Sequence, residues 1–390
     1  MEHGSLIYFD NAATSFPKPR SVVEETVRCM TDYGGNAGRG THALALAAAE
    51  KIYECRTLLA KQFGVEDPAR VIFALNTTSA LNLALKGLLR RGDHVLISDM
   101  EHNSVLRPLS KMRVAGEITF SEFPSMTGDP RRSTEKILAG IALLITPKTR
   151  MLVTTHASNL CSVTMPLREI GAFCHQKGIL FVVDGAQSAG HERISVDEMK
   201  IDALCIPGHK GLLGPQGCGA LLLGKNITPE ALGTLVEGGN GMASLERAMP
   251  LVLPERYEAG TLPTPAIAGL CEGVRIVERL GVDAIAEHER GLFRRARELL
   301  GNMDGVRLYA DEYEGAVLLF NLNGIPADRV GRWLSERGIC VRSGYHCSAL
   351  GHQTLGTPEG GAVRASFGIY NDLAQVEHFA FALEEILRGV

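Results

Sequence analysis

The sequence predicts an α/β protein in two parts: a large domain whose mainly parallel sheet is flanked by helices, and a smaller α/β C-terminal domain. Three observations point there. The 390 residues suffice for two or three domains with substantial cores. Short β-rich segments alternate with helical ones through the first half, which implies right-handed crossovers and a mainly parallel sheet. Beyond Leu262 that alternation gives way to a second, shorter α/β pattern. From about Thr41 the stretch HALALAAAEKIYECRTLLAKQFG has helical apolar spacing, and RVIFAL, HVLISD, RMLVTTH, ILFVVD, DALCI and GALLLG then read as strands with helices between most of them. The segment PTPAIAG breaks the pattern. A long helix is expected from about Ile267 to Asn302, followed by strands at VRLYA, GAVLLFNL, ICVR and AVRASFGIY and helices around Asp328–Arg337 and Asp372–Arg388. The division expected is a large domain over 16–262 and a small one formed by 1–15 with 263–390, with a cleft between them.

Composition narrows the function. Hydrophobic residues at 45% and charged residues at 22% are ordinary for a folded globular chain. Lys plus Arg (40) against Asp plus Glu (44) leaves a net charge of −4, and with no basic run to neutralise phosphates, nucleic acid binding has little support. The longest strongly apolar stretch, Ile137 to Ile145, is far short of the roughly 18 residues that span a bilayer, and the first residues lack an export pattern, so a cytoplasmic protein without membrane partners is expected. The nine cysteines are odd in number and none stands in a C-x-x-C pair, which suggests reduced thiols and no metal site. Most sit in apolar surroundings such as DALCIPG and GAFCHQKG; Cys347 does not.

In open parallel sheets the ligand lies beyond the carboxyl ends of the strands. ILFVVDGAQSAGH places Asp184 at such an end, and DALCIPGHKG places Lys210 just past the next one. Each alone reads as a capping Asp or a surface Lys. Together they suit pyridoxal 5′-phosphate, with Lys forming a Schiff base to the aldehyde and Asp pairing with the ring nitrogen. A phosphate cradle is expected at an earlier strand-to-helix turn, where free amides and the helix dipole favour a dianion. RVIFALNTTSALNLALKGLL offers Asn76, Thr77, Thr78 and Ser79 there, which also read as an ordinary helix cap. His102 follows another strand in HVLISDMEHNSV, where an imidazole can stack on a flat ring. Asn159 in THASN and Gln187 after Asp184 can donate to a phenolic oxygen.

The chain resembles the class V aminotransferase-fold family, specifically the cysteine desulfurases and the similar selenocysteine lyases. YFDNAATSFPKP, GRGTH, NTTSALN, MEHNSV, THASN, VVDGAQSAG, GHKGLLGPQGCGALL, EAGTLPTP, VRSGYHC and VRASFGIYN carry the resemblance, in that order along nearly the whole sequence. It implies the pyridoxal-phosphate-dependent transferase fold of fold type I. It also implies Lys210 as Schiff-base lysine, Asp184 at the pyridine nitrogen, His102 in stacking and proton transfer, Asn159 and Gln187 at the phenolic oxygen, and Thr78 and His209 at the phosphate. Thr261 is implied to reach the phosphate of a neighbouring subunit, hence a homodimer. One departure is Pro207, where the family usually has a Ser or Thr hydroxyl.

An amino acid substrate needs a cation for its carboxylate, and arginine offers a two-pronged donor. Arg364 corresponds to the family arginine, with Arg39 and Arg342 as further candidates in the cleft. Cys347, in the polar loop RSGYHCSALGH, aligns with the cysteine that takes the substrate sulfur as a persulfide. The resemblance thus implies conversion of L-cysteine to L-alanine, with the persulfide passed to an acceptor protein from a short cysteine loop, and a flexible flap is expected at LGTPEGGAV. Lyase action on L-selenocysteine is the alternative within the fold, a catalytically inactive scaffold is the alternative outside it, and an aminotransferase would be recognised by forming pyruvate rather than alanine.

Overall fold

The structure is a computed structural model and describes residues 6–38 and 40–389. In chain order the elements are β1 (Ile7–Tyr8), α1 (Arg20–Asp32), α2 (Ala43–Gln62), β2 (Val71–Ala74), α3 (Thr77–Leu88), β3 (His94–Ser98), α4 (Asn103–Val114), β4 (Thr119–Phe123), α5 (Thr134–Leu144), β5 (Thr149–Thr155), α6 (Leu167–Lys177), β6 (Leu180–Asp184), β7 (Ala203–Pro207) and β8 (Gly219–Leu223). Then come α7 (Thr264–Leu280), α8 (Val282–Gly301), β9 (Val306–Tyr309), β10 (Val317–Leu322), α9 (Ala327–Glu336), β11 (Ile339–Cys340), β12 (Arg342–Gly344), α10 (Ala349–Leu355), β13 (Ala362–Ser366) and α11 (Leu373–Arg388). Among the described residues no helix is long and apolar enough to cross a membrane.

Seven strands form the main sheet in the order β2-β8-β7-β6-β5-β3-β4. Strands β3 to β7 run parallel, and β8 is inserted antiparallel to both β2 and β7. Its central strands are buried along their length, as a sheet covered on both faces requires, and so read as unbroken apolar runs. One face packs Leu96, Leu152, Phe181 and Leu204 against α2, α6 and α7, and the other packs Ile97, Val153, Val182 and Cys205 against α3 and α4. Helix starts are written locally: Asn76, Ser133 and Asp372 accept from the third residue of α3, α5 and α11, respectively.

Four strands form a second, antiparallel sheet in the order β12-β13-β10-β9. Beside it β1 pairs in parallel with β11, and Asp10 bridges to Ser366 at the end of β13, so the first described residues join the last third of the chain. Phe9, Phe320, Phe367 and Phe379 close the core there.

The structure corrects three local expectations. The helix expected from Ile267 starts three residues earlier, at Thr264 inside PTPAIAG. The long helix expected to Asn302 is two helices separated at Gly281, whose φ of 81° no side-chain-bearing residue adopts easily. Strand β4 and helix α1 are additional elements.

Candidate active site

The cleft is assembled at the carboxyl edge of the main sheet. After β2, Asn76 accepts from Ser79 N at 2.9 Å and opens α3. The first-turn amides of Thr77 and Thr78 have no intrahelical acceptor, and the buried Thr77 Oγ1 has no partner among the described residues. Beyond β3, His102 caps α4: Ser104 N donates to its Nδ1 at 3.0 Å, so Nε2 carries the ring proton. Thr78 Oγ1 stands 2.7 Å from Ser104 Oγ, itself 2.9 Å from His102 Nδ1, which links the two strand ends. Burial, then the Lys210 charge, lower the His102 pKa to about 4, so the ring is neutral.

Strands β6 and β7 are neighbours, with Asp184 opposite Cys205, and Lys210 follows the end of β7. The Asp184 carboxylate accepts from Ala186 N at 2.9 Å, and its burial raises its pKa against the opposing pull of that bond and of Lys210. Burial likewise lowers Lys210 to about 8, with Asp184 opposing. Each group resists neutralisation of the other, and desolvation is the larger effect on both. His209 Nδ1 lies 3.1 Å from Thr14 Oγ1, and Gln187 Nε2 donates to Ala12 O at 2.9 Å with one N–H still free for a ligand.

The second sheet supplies the opposite wall. Arg364 is 3% exposed; its two terminal nitrogens donate to Asn159 O and Asp10 Oδ1, both at 2.9 Å, and its buried Nε has no partner among the described residues. Arg342 lies opposite Arg364 in the β12–β13 register and donates to the other Asp10 oxygen at 3.1 Å. Sequence reasoning did not single out Asp10. Its local stretch was noted, but a carboxylate bridging two arginines from the far end of the chain leaves no local periodic signal.

Cys347 is the one exposed cysteine; seven are buried and Cys340 is half-buried. Its carbonyl accepts from Asn103 N at 2.8 Å. The Asn159 side chain grips the residues on either side, donating to His346 O at 2.8 Å and accepting from Ser348 Oγ at 2.6 Å. Asn159 therefore lies in the cleft with most of its amide committed to the cysteine loop, leaving one N–H for the phenolic oxygen assigned to it from the sequence. Helix α10 begins two residues after Cys347, and Thr357 and Gly360 of LGTPEGGAV bond back to His352 and Tyr345 at 2.8 and 2.9 Å, which makes the expected flap an anchored loop.

A cavity of about 320 Å³ unites these walls, within the usual size of small-molecule sites. Thr77, Thr78, His102, Asn159, Asp184, Gln187, His209, Lys210, Arg342, Cys347 and Arg364 all line it. Thr261 does not. It lies in a separate cavity of about 600 Å³ with Asn36, Arg56 and Glu258, where its hydroxyl accepts from Asn36 Nδ2 at 3.5 Å. That cavity is larger, but the displaced pKa values of Lys210 and Asp184 make the smaller one the candidate chemical site. Arg39 lies outside the described residues.

Comparison with known proteins agrees with this geometry. A family model described as aminotransferase class-V matches residues 7–379. A probable cysteine desulfurase of Methanothermobacter thermautotrophicus is 32% identical over 97% of this chain and 94% of its own length, and one of Pyrococcus abyssi is 32% identical over 99% and 95%. Among solved structures, the apo cysteine desulfurase of Thermococcus onnurineus superposes with a TM-score of 0.89 at 32% identity, covering 99% of this chain and 95% of that one.

Proposed function

This chain belongs to the class-V aminotransferase family, and we propose that it is a pyridoxal 5′-phosphate-dependent cysteine desulfurase that converts L-cysteine to L-alanine and hands on the sulfur from Cys347. The observation that carries this reading is the meeting, in one cavity, of Lys210 with the buried Asp184, a buried Arg364 whose Nε has no partner among the described residues, and an exposed cysteine.

The donor set fits the cofactor. The open amides of α3 and the unpartnered Thr77 hydroxyl would hold the phosphate, the hydroxyl standing in for the one that Pro207 lacks. His209 would assist there, Asp184 would hold the pyridine nitrogen, the neutral His102 ring would cover one face, and the free N–H groups of Gln187 and Asn159 would reach the phenolic oxygen. When bound, the cofactor supplies an electron sink for the pair left when a substrate α C–H bond breaks.

The protein's own groups do the rest. Lys210, held near 8 by burial, presents a usable fraction of neutral amine at pH 7, able to hold the aldehyde carbon and, once displaced by substrate, to take the α-proton. Arg364 offers its spare Nε to the substrate carboxylate, and Asp10 keeps the guanidinium aimed. The Cys347 sulfur bonds to the substrate sulfur as the substrate Cβ–S bond breaks. The bonding pair stays with the carbon, protonation there releases alanine, and an acceptor thiol then attacks the persulfide. Thr261, outside its own chain's cleft, is proposed to serve the cleft of a second copy in a homodimer. No observation favours L-selenocysteine over L-cysteine.

The test is product analysis of the holoenzyme with L-cysteine and a thiol acceptor. Alanine and sulfide are expected in equal amounts, with C347S lowering both by about a hundredfold or more. Pyruvate as the product, or a C347S enzyme as fast as wild type, would overturn the assignment.

A further inference from the structure

Cys347 sits on an unusual piece of backbone. His346 and Cys347 are consecutive non-glycine residues in the left-handed region, with φ of 50° and 56°. Such a pair persists only where its surroundings over-determine it. The Asn159 and Asn103 bonds hold it from the large-sheet side. On the other side a second restraint runs from His346, which lines the cavity, to His352 and Thr357, which do not.

His346 Nε2 lies 3.2 Å from Arg342 O, and a carbonyl only accepts, so that nitrogen carries the proton. Its Nδ1 must then accept from His352 Nε2 at 3.2 Å. His352 Nδ1 in turn must accept from the Thr357 hydroxyl at 2.8 Å. Every donor and acceptor along this chain is thus fixed by the one carbonyl at its end. The two ring planes are nearly parallel, 11° apart, and Tyr345 meets His352 edge-on. His352 is 4% exposed, and burial lowers both imidazoles, to about 3 for His346 and about 4 for His352, in keeping with two neutral rings. Both His346 nitrogens are occupied, so this ring is not available as a base for the neighbouring thiol.

We propose that the Thr357–His352–His346 chain is a positioning device that holds Cys347 in its left-handed conformation at the mouth of the cleft, with Thr357 and His352 as positioning residues for the sulfur-transfer step. This rests on the reading of Cys347 as the nucleophile. Because the chain ends on a carbonyl that can neither give nor take a proton, it orients and does not relay.

The test compares T357V, which keeps the shape and removes the hydroxyl donor, with T357S, which restores it. In T357V the holoenzyme is expected to lose about tenfold or more in kcat for alanine formation while KM for L-cysteine stays within about twofold, because the defect lies in the attack geometry. Amide hydrogen exchange in peptides spanning 343–349 should accelerate about tenfold while core segments keep wild-type protection. T357S should restore both. H352N, which can meet Thr357 but cannot reach His346, should repeat the T357V pattern and replaces it if T357V fails to fold. Wild-type exchange and wild-type kcat in T357V and H352N would overturn the proposal, as would a T357S protein as impaired as T357V. An active C347S enzyme would instead sink the desulfurase reading, and the exchange data would still decide whether the chain holds the loop.

Discussion

A buried hydroxyl without a partner costs free energy unless something is meant to meet it. Thr77 Oγ1 is such a group, at the mouth of α3 and inside the cavity. T77V is expected to weaken pyridoxal 5′-phosphate binding about tenfold, while the cofactor-free protein gains stability by about 1 kcal/mol as an unsatisfied polar atom leaves the interior. Equilibrium dialysis and urea unfolding read the two effects separately, and unchanged cofactor affinity would count against the phosphate assignment. At this scale the sequence was most readable where parallel strands deliver their ends to one edge: Thr78, His102, Asp184 and Lys210 each follow an apolar run. It was least readable where a contact joins distant segments through side chains alone. Asp10 with its two arginines, and Asn159 with Ser348, depend on two separate sheets meeting.

Elements were legible in proportion to their burial. The central strands are buried on both faces and stand out as apolar runs. Edge strand β4 (TFSEF) is mostly solvated and has no clean alternation, so nothing distinguishes it from a loop. Helix α1 has three buried positions among thirteen and follows a proline-rich entry, which blurs its period. The single residue between α7 and α8 was hidden because apolar spacing continues on both sides and Gly281 alone makes the break. G281A is expected to cost about 2 kcal/mol, since alanine must adopt a backbone conformation it strongly disfavours. The urea midpoint checks this, and a midpoint equal to wild type would show that the two helices tolerate a different junction.

Across the whole molecule, lowered imidazoles and raised carboxylates oppose one another in the response to acid. His102, His156, His209 and His352 are lowered to about 4 and His346 to about 3, burial being the main cause in each. Their folded pKa values lie below the unfolded 6.5, so the unfolded chain binds more protons between roughly pH 4 and 6.5, and stability falls as pH drops through that window. Glu101, raised to about 8 by burial, His191, raised beside Glu289, and Asp99, Asp184, Asp202, Glu258 and Glu272, each raised by burial, act in the opposite sense. H156Q removes one of the lowered rings, so the melting temperature of the cofactor-free variant should fall less between pH 7 and pH 5 than that of the wild type, and equal falls would contradict the burial of His156.

The pairing of Ile7 with Ile339 and the bridge from Asp10 to Ser366 carry a further consequence for how the polypeptide is made. On a ribosome adding about 5–20 residues per second, residues 7–10 wait for tens of seconds before their neighbours at 339–366 exist. The main sheet can assemble meanwhile from what has already been translated. The carboxylate that aligns both arginines is therefore installed only after Arg364 has been translated, and a nascent chain acquires its cradle for the ring well before it can orient an amino acid.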